Sequence, residues 1–233
     1  MESTYQSLAN RVLVKWEELK TADRANSLSS PSRMLIALAG APGSGKTTIA
    51  LQVLKRINNL PDHPKTTVIS ADGFHFPLAK LRAMPNASEA IARRGVTWTF
   101  DGAGVVTLVR KLRDAAGYEA VLAPTFDHAI KDPIEGGLIV DKDMEVCIIE
   151  GNYLLCDEEP WREIAELVDD RWLVRVDPGL ARERVAARHL AAGIEDTIED
   201  ALRRTDENDL VNGRFVMEKS RGRHDLLIDS WHD

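Results

Sequence analysis

An α/β fold, with a parallel sheet wrapped by helices on both faces, is predicted by three features of the sequence. An apolar run, Met34 to Ala39, breaks into glycines and then into a lysine and two threonines, Gly40-Ala41-Pro42-Gly43-Ser44-Gly45-Lys46-Thr47-Thr48. A second apolar run, Val146 to Ile149, ends in Glu150 and Gly151. Around them, short β-branched runs alternate with segments of helical apolar spacing, the pattern of parallel strands joined by crossover helices.

The first run contains G-x-x-x-x-G-K-T, a phosphate-binding (Walker A) loop, which narrows the fold to a P-loop NTPase type. Glycines let backbone N–H groups close around phosphate oxygens, and the following helix points its positive end at the same anion. Lys46 is then expected to reach the β- and γ-phosphates of a nucleoside triphosphate, and the Thr47 hydroxyl to join the shell of a Mg²⁺ ion. Gly40 through Thr48 is the expected nucleotide-binding stretch.

The remaining elements follow in order. Leu8, Val12, Trp16 and Leu19 are spaced as on one face of a helix, so residues 1–24 are predicted to form an amphipathic helix packed ahead of the core. The Ser-rich residues 25–32 read as its linker, and residues 33–233 as the loop-bearing domain. After a helix over 47–57, a strand is predicted at Thr66 to Ser70, stopping at Asp72-Gly73-Phe74-His75. Residues 78–94 show a broken helical pattern. Asp101 can cap a helix running to Leu112. Short strands are expected near 119–123 and 138–140, a helix over 160–168 and a strand at 171–176. Helices over 180–192, 198–205 and 210–219 then precede a last strand at 226–228.

In such sheets ligands sit beyond the carboxyl ends of the strands, which directs attention to Gly40–Thr47, Asp72 and Glu150. Asp72 is a candidate to take the proton of a substrate hydroxyl, or to orient that hydroxyl for attack on the γ-phosphate. Glu150 is placed to hold Mg²⁺ directly or through water. Plainer readings exist, since Asp72-Gly73 also makes an ordinary turn and Glu150 could simply end a strand in solvent. Arg184 and Arg188, at i, i+4 on the 180–192 helix, repel unless an anion lies between them, so this helix is a candidate lid over the transferring phosphate. A solvated helix face is the alternative.

Composition restricts the partners. The chain has 233 residues, 44% hydrophobic and 29% charged, with a net charge of -7 and a pI near 5.5. That balance argues against nucleic acid or an anionic membrane surface as a partner. Two cysteines cannot build a disulfide framework, and no segment has the length of a membrane span or a secretory signal, so the expected location is cytoplasmic. The oligomeric state stays open, a homodimer included.

Taken together, the loop Gly40–Thr47, Ser70-Ala-Asp72-Gly-Phe74, Pro124-Thr-Phe126-Asp127-His128, Ile148-Ile-Glu150-Gly151 and the Arg-bearing helix after Asp177 resemble the phosphoribulokinase/uridine kinase superfamily of P-loop small-molecule kinases, bacterial-type pantothenate kinases among them. The likeness runs from about Met34 to Asp229. It implies an ATP- and Mg²⁺-dependent transfer to a hydroxyl of a small metabolite such as a nucleoside, pantothenate-like compound, sugar or vitamin. It further implies Asp72 as the catalytic acid/base, Glu150 as a metal-side acid, and Arg184 or Arg188 as a lid contact to phosphate. Arg94, Phe126 and His128 would line the acceptor pocket with His75 nearby, and Asn208 to Asn212 would lie near the nucleotide base. Phe126 stands where uridine kinases usually carry Tyr, and Asp72 to Pro77 is closer to the pantothenate kinase form. The rival reading is an ATPase or nucleotide-dependent switch with water as acceptor. Asp101-Gly-Ala-Gly104 fits D-x-x-G, yet no N-K-x-D base-reading motif occurs, which disfavours a GTPase.

Overall fold

A computed structural model of the chain describes residues 1–26, 32–127 and 129–231. Its elements are α1 (Glu2–Ala25), β1 (Met34–Gly40), α2 (Lys46–Asn58), β2 (Thr66–Ser70), α3 (Leu78–Arg82), α4 (Ala87–Ala92), α5 (Gly102–Asp114), β3 (Val121–Asp127) and β4 (Asp132–Val140). Then come β5 (Val146–Gly151), α6 (Ile164–Leu167), β6 (Asp170–Val176), α7 (Pro178–Ala191), α8 (Ile198–Arg204), α9 (Leu210–Lys219) and β7 (Leu226–Ser230).

Five strands form one parallel sheet in the order β2-β5-β1-β6-β7. The period-2 alternation of a strand decides what each face meets. Leu35, Ala37 and Ala39 of β1 join a core with α5, α6 and Val216 of α9. Met34, Ile36 and Leu38 join the opposite core with α1 and α2. With both faces covered, all seven residues of β1 are buried, as an uninterrupted apolar run requires. The helical spacing in the first 24 residues is therefore core packing, with Tyr5, Leu8, Ala9, Val12 and Trp16 all buried.

Helix starts follow local chemistry. Asp101 caps α5 by accepting a hydrogen bond from the Gly104 amide at 2.8 Å, and Asp177 caps α7 by accepting from Gly179 and Leu180 at 2.9 and 3.1 Å, with Pro178 in the first turn. The expected helix over 160–168 is shorter, one 3-10 turn at Trp161–Glu163 followed by the four residues of α6.

The strands expected near 119–123 and 138–140 are longer than their apolar residues suggest, and they leave the parallel sheet to pair with each other as an antiparallel hairpin. Pro124 has no N–H to donate, and the register shifts between Ala123 and Thr125, so the strand bends past it and reaches Asp127. That bend carries Phe126 toward the carboxyl edge of the main sheet.

One buried charge ties α1 to the sheet. The Asp170 side chain, inaccessible to solvent, accepts from Arg11 Nε and Nη2 at 2.7 and 2.8 Å and from the Trp172 indole N–H at 2.7 Å. Asp170→Ala leaves that indole N–H buried and unpaired, and is expected to cost about 2–4 kcal/mol. Urea unfolding should display this as a lower midpoint at unchanged slope; a midpoint within error of the parent would mean the tether contributes nothing.

Candidate active site

β1 delivers the chain to a loop that turns through positive φ at Gly43 (76°) and Gly45 (87°), the left-handed region where a Cβ is strained. Gly45 is the residue before α2 and supplies no side-chain cap, which leaves the first amides of the helix without a side-chain acceptor. Lys46 is buried, and its Nζ donates to Asn152 Oδ1 at 2.8 Å and to the Ala41 carbonyl at 3.2 Å. Burial pulls this ammonium below its usual range, while Glu150 and Asp72 oppose the shift.

Sheet register assembles the acids. Ser70 of β2 and Leu38 of β1 both lie opposite Glu150 of β5, so the three strands end side by side. Glu150 accepts from the Ser70 and Thr47 hydroxyls; burial raises its pKa, Lys46 draws it back and the Asp72 charge raises it further. Asp72 sits in a 3-10 turn, Ala71–Phe74, where its amide donates to Ser70 Oγ at 3.3 Å. A Cβ on Gly73 would come within 2.4 Å of the Pro124 carbonyl oxygen, so the turn and the hairpin approach closer than any other residue permits. The Asp-Gly pair thus makes a turn and also sets Asp72 at the sheet edge.

Lys46, Thr47, Asp72, Glu150 and Asn152 open onto one cavity of about 350 Å³. His75 and Phe126 form part of its wall, with the His75 ring 3.9 Å from Phe100 and 5.1 Å from Phe126. Arg94, also on the wall, donates to the Phe76 carbonyl at 2.9 Å and to Asp132 at 2.8 Å, and its guanidinium lies 5.4 Å from the Phe126 ring. Tyr153 donates to the Gly95 carbonyl at 2.6 Å, which fixes the segment next to Arg94.

The far side of the cavity comes from α7 and from a π-helical turn, Thr205–Asp209, that joins α8 to α9. Such turns insert one residue into a helix and recur at functional sites. Arg182 of α7 grips Asp206 at 2.6 and 2.7 Å and so docks the turn on that helix. Asn208, Asp209 and Asn212 line the cavity together with Arg188 and His189 of α7. Burial raises Asp209 to about 6. Burial, with Arg188 and Arg204 nearby, lowers His189 to about 4. The imidazolium is the disfavoured form, so His189 is expected to be neutral at pH 7 and to gain its proton only as pH falls toward 4; an NMR imidazole titration with a midpoint near 6.5 would contradict this.

The expected residues are thus distributed over two sites. Asp72, His75, Arg94, Phe126, Glu150 and Arg188 share the cavity with Lys46 and Thr47. Asn208 and Asn212, expected beside a nucleotide base, line this same cavity opposite the loop. Arg184 lies elsewhere, donating to Ser230 Oγ at 3.0 Å, the Trp231 carbonyl at 3.0 Å and the Gly43 carbonyl at 3.3 Å. There it borders a second groove of about 260 Å³ with Gly45, Thr48, Tyr5 and Trp231. Arg184 and Arg188 are one turn apart, yet their long side chains diverge to the two sides of the loop. His128 falls outside the described residues. Sequence reasoning passed over Asn152 and His189, and took in Asp209 only within the stretch Asn208 to Asn212. Asn152 follows the β5 acid by two residues, where strand-end inspection can find it; His189 and Asp209 carry no local motif.

No family model matches the chain. It is 38% identical over 226 residues to a Schizosaccharomyces pombe protein named "Putative uridine kinase C227.14", covering 97% of this chain and 90% of that one. It is also 38% identical over 164 residues to "ATP-dependent kinase-like protein notR'" of Aspergillus versicolor, covering 70% of this chain and 95% of that one. A solved structure from Silicibacter sp. TM1040, described as a "putative fructose transport system kinase", superposes with a TM-score of 0.76 at 31% identity over 98% of both chains. With near full-length relatives at this identity, and with a phosphate loop after β1 and acids after β2 and at the end of β5, the chain belongs to the phosphoribulokinase/uridine kinase superfamily of P-loop small-molecule kinases.

Proposed function

We propose that the protein is an ATP-dependent kinase that transfers the γ-phosphate to a hydroxyl of a small metabolite. The observation that carries this reading is the convergence of Lys46, Thr47, Asp72 and Glu150 on one cavity. A switch needs a phosphate loop and a moving segment, whereas here the loop residues open onto a cavity of about 350 Å³ whose wall also carries Asp72, His75, Arg94 and Phe126, groups suited to meeting a second small molecule.

In the proposed reaction the acceptor oxygen attacks the γ-phosphorus, its proton passes to Asp72, and the bond from that phosphorus to the bridging oxygen breaks to release ADP. Lys46 holds the β- and γ-oxygens and so stabilises charge moving onto the leaving group. Thr47 and Glu150 offer hard oxygen donors in contact with each other, a set that suits Mg²⁺ with its remaining positions on water and phosphate. When bound, that ion neutralises phosphate charge. Arg188, on the cavity wall, is the lid residue assigned to the transferring group. In-line displacement puts acceptor and leaving group on opposite sides of the phosphorus. On this reading the nucleoside takes the groove beside Gly45, Thr48, Arg184 and Trp231, and Asn208 and Asn212, expected near the nucleotide base, are reassigned to the acceptor side because they line the cavity that holds Asp72.

The test is coupled ADP release across nucleosides, pantothenate, sugars, vitamins and glycerate. One acceptor should accelerate release well above the rate with water alone. Steady hydrolysis that no acceptor changes would support the ATPase reading instead.

A further inference from the structure

Burying an ammonium is costly unless polar atoms receive its protons. For Lys46 the receivers are both neutral: among the described residues, Nζ donates to Asn152 Oδ1 at 2.8 Å and to the Ala41 carbonyl at 3.2 Å. The Glu150 and Asp72 carboxylates act on this charge, yet among the described residues neither is a hydrogen-bond partner of it. An ammonium carries three donors at tetrahedral angles, so two fixed acceptors also fix where the third points.

The backbone holds Asn152 firmly for this contact. In residues 151–156, Gly151, Tyr153, Leu154, Leu155 and Cys156 are buried, while Asn152 is part-exposed on the cavity wall. A Cβ on Gly151 would come within 2.7 Å of the Ala71 Cβ, so the end of β5 lies tight against the turn that carries Asp72. On the other side, the Tyr153 hydroxyl donates to the Gly95 carbonyl at 2.6 Å. A lysine ammonium only donates, so the amide oxygen of Asn152 faces it and the amide N–H groups face away.

Resting on the nucleotide side of the kinase reading above, we infer that Asn152 is the positioning residue of Lys46: it holds the ammonium beside the loop through a neutral oxygen and leaves its charge for the triphosphate. Asparagine suits this task where an acid does not. An aspartate would accept the same hydrogen bond, but it would pair with the ammonium and stand as a third carboxylate beside Glu150 and Asp72, facing a polyanion. An alanine would leave Nζ with the Ala41 carbonyl alone, and the opposite charges of Glu150 and Asp72 would draw it aside. In either variant the triphosphate competes with a protein carboxylate for Lys46.

The test is calorimetric titration of a non-hydrolysable ATP analogue, with Mg²⁺, into four full-length proteins: the parent, Asn152→Ala, Lys46→Met and the double variant. Asn152→Ala should weaken binding about 5–10-fold when Lys46 is present. In the Lys46→Met background the same change should cost less than about 2-fold, because its effect passes through the ammonium. Asn152→Asp keeps the shape of the side chain, carries the test if the alanine variant fails to fold, and should weaken binding at least as much. An equal loss in both backgrounds would make Asn152 a structural residue only and overturns the inference. Parental affinity in Asn152→Ala or in Asn152→Asp overturns it too. If the analogue does not bind the parent, the kinase reading and this inference fail together. If it binds but no acceptor accelerates ADP release, the kinase reading fails and the role of Asn152 at Lys46 stands.

Discussion

Asp72→Asn is expected to lower acceptor-dependent ADP release by about 10²–10⁴-fold while leaving ATP affinity within a few-fold of the parent. The substitution keeps the shape of the side chain and removes its ability to receive a proton. Asp72 lies on the cavity wall, whereas ATP is expected to be held by the amides of the loop and by Lys46, so binding and turnover should separate cleanly. Two measurements decide the matter, calorimetric titration with a non-hydrolysable ATP analogue and steady-state turnover on the identified acceptor. Unchanged turnover would remove Asp72 from the mechanism. Because Asp72 also raises the pKa of Glu150, the variant should let Glu150 ionise more readily, so residual activity should not reflect a damaged metal side.

Lys46→Met is expected to act on the other half of the reaction. The methionine fills the same volume, but it removes the buried cation whose Nζ now rests on Asn152 and the Ala41 carbonyl. A charge-assisted hydrogen bond to phosphate is worth about 1.5–3 kcal/mol, so affinity for the ATP analogue should fall about 10–100-fold. Turnover should fall further, since charge on the leaving group grows as the bond breaks. Equal affinity in mutant and parent, by calorimetry, would contradict the assignment of the loop. The ammonium is already destabilised by burial, and a polyphosphate supplies the counter-charge that Glu150 and Asp72 only partly provide. Bound nucleotide should accordingly raise the pKa of Lys46, not lower it.

The parallel sheet and its loop were legible because their signals are local. Gly43 and Gly45 are demanded by backbone dihedrals, β1 is buried on both faces and so reads as an unbroken apolar run, and Asp101 and Asp177 cap helices within three residues of themselves. The hairpin was less legible. Leu122 and Ile139 pair across it and both face solvent, so its apolar residues do not mark a buried strand. On the 180–192 helix, i, i+4 spacing grouped Arg184 with Arg188, but a helix period says nothing about which side of a neighbouring loop a long side chain will choose.

What the sequence determined by itself was a triphosphate loop and two acids, each at the end of its own strand, because each of these is written in a run of fewer than ten residues. Only the tertiary structure decided what stands opposite them. Asn152 and His189 come from separate segments and carry no motif, and they share a cavity with the stretch Asn208 to Asn212 because α7 and the π-helical turn pack together. Which side chains share a cavity is a property of packing, with no local pattern to announce it, so the wall facing the loop becomes readable only once the chain is folded.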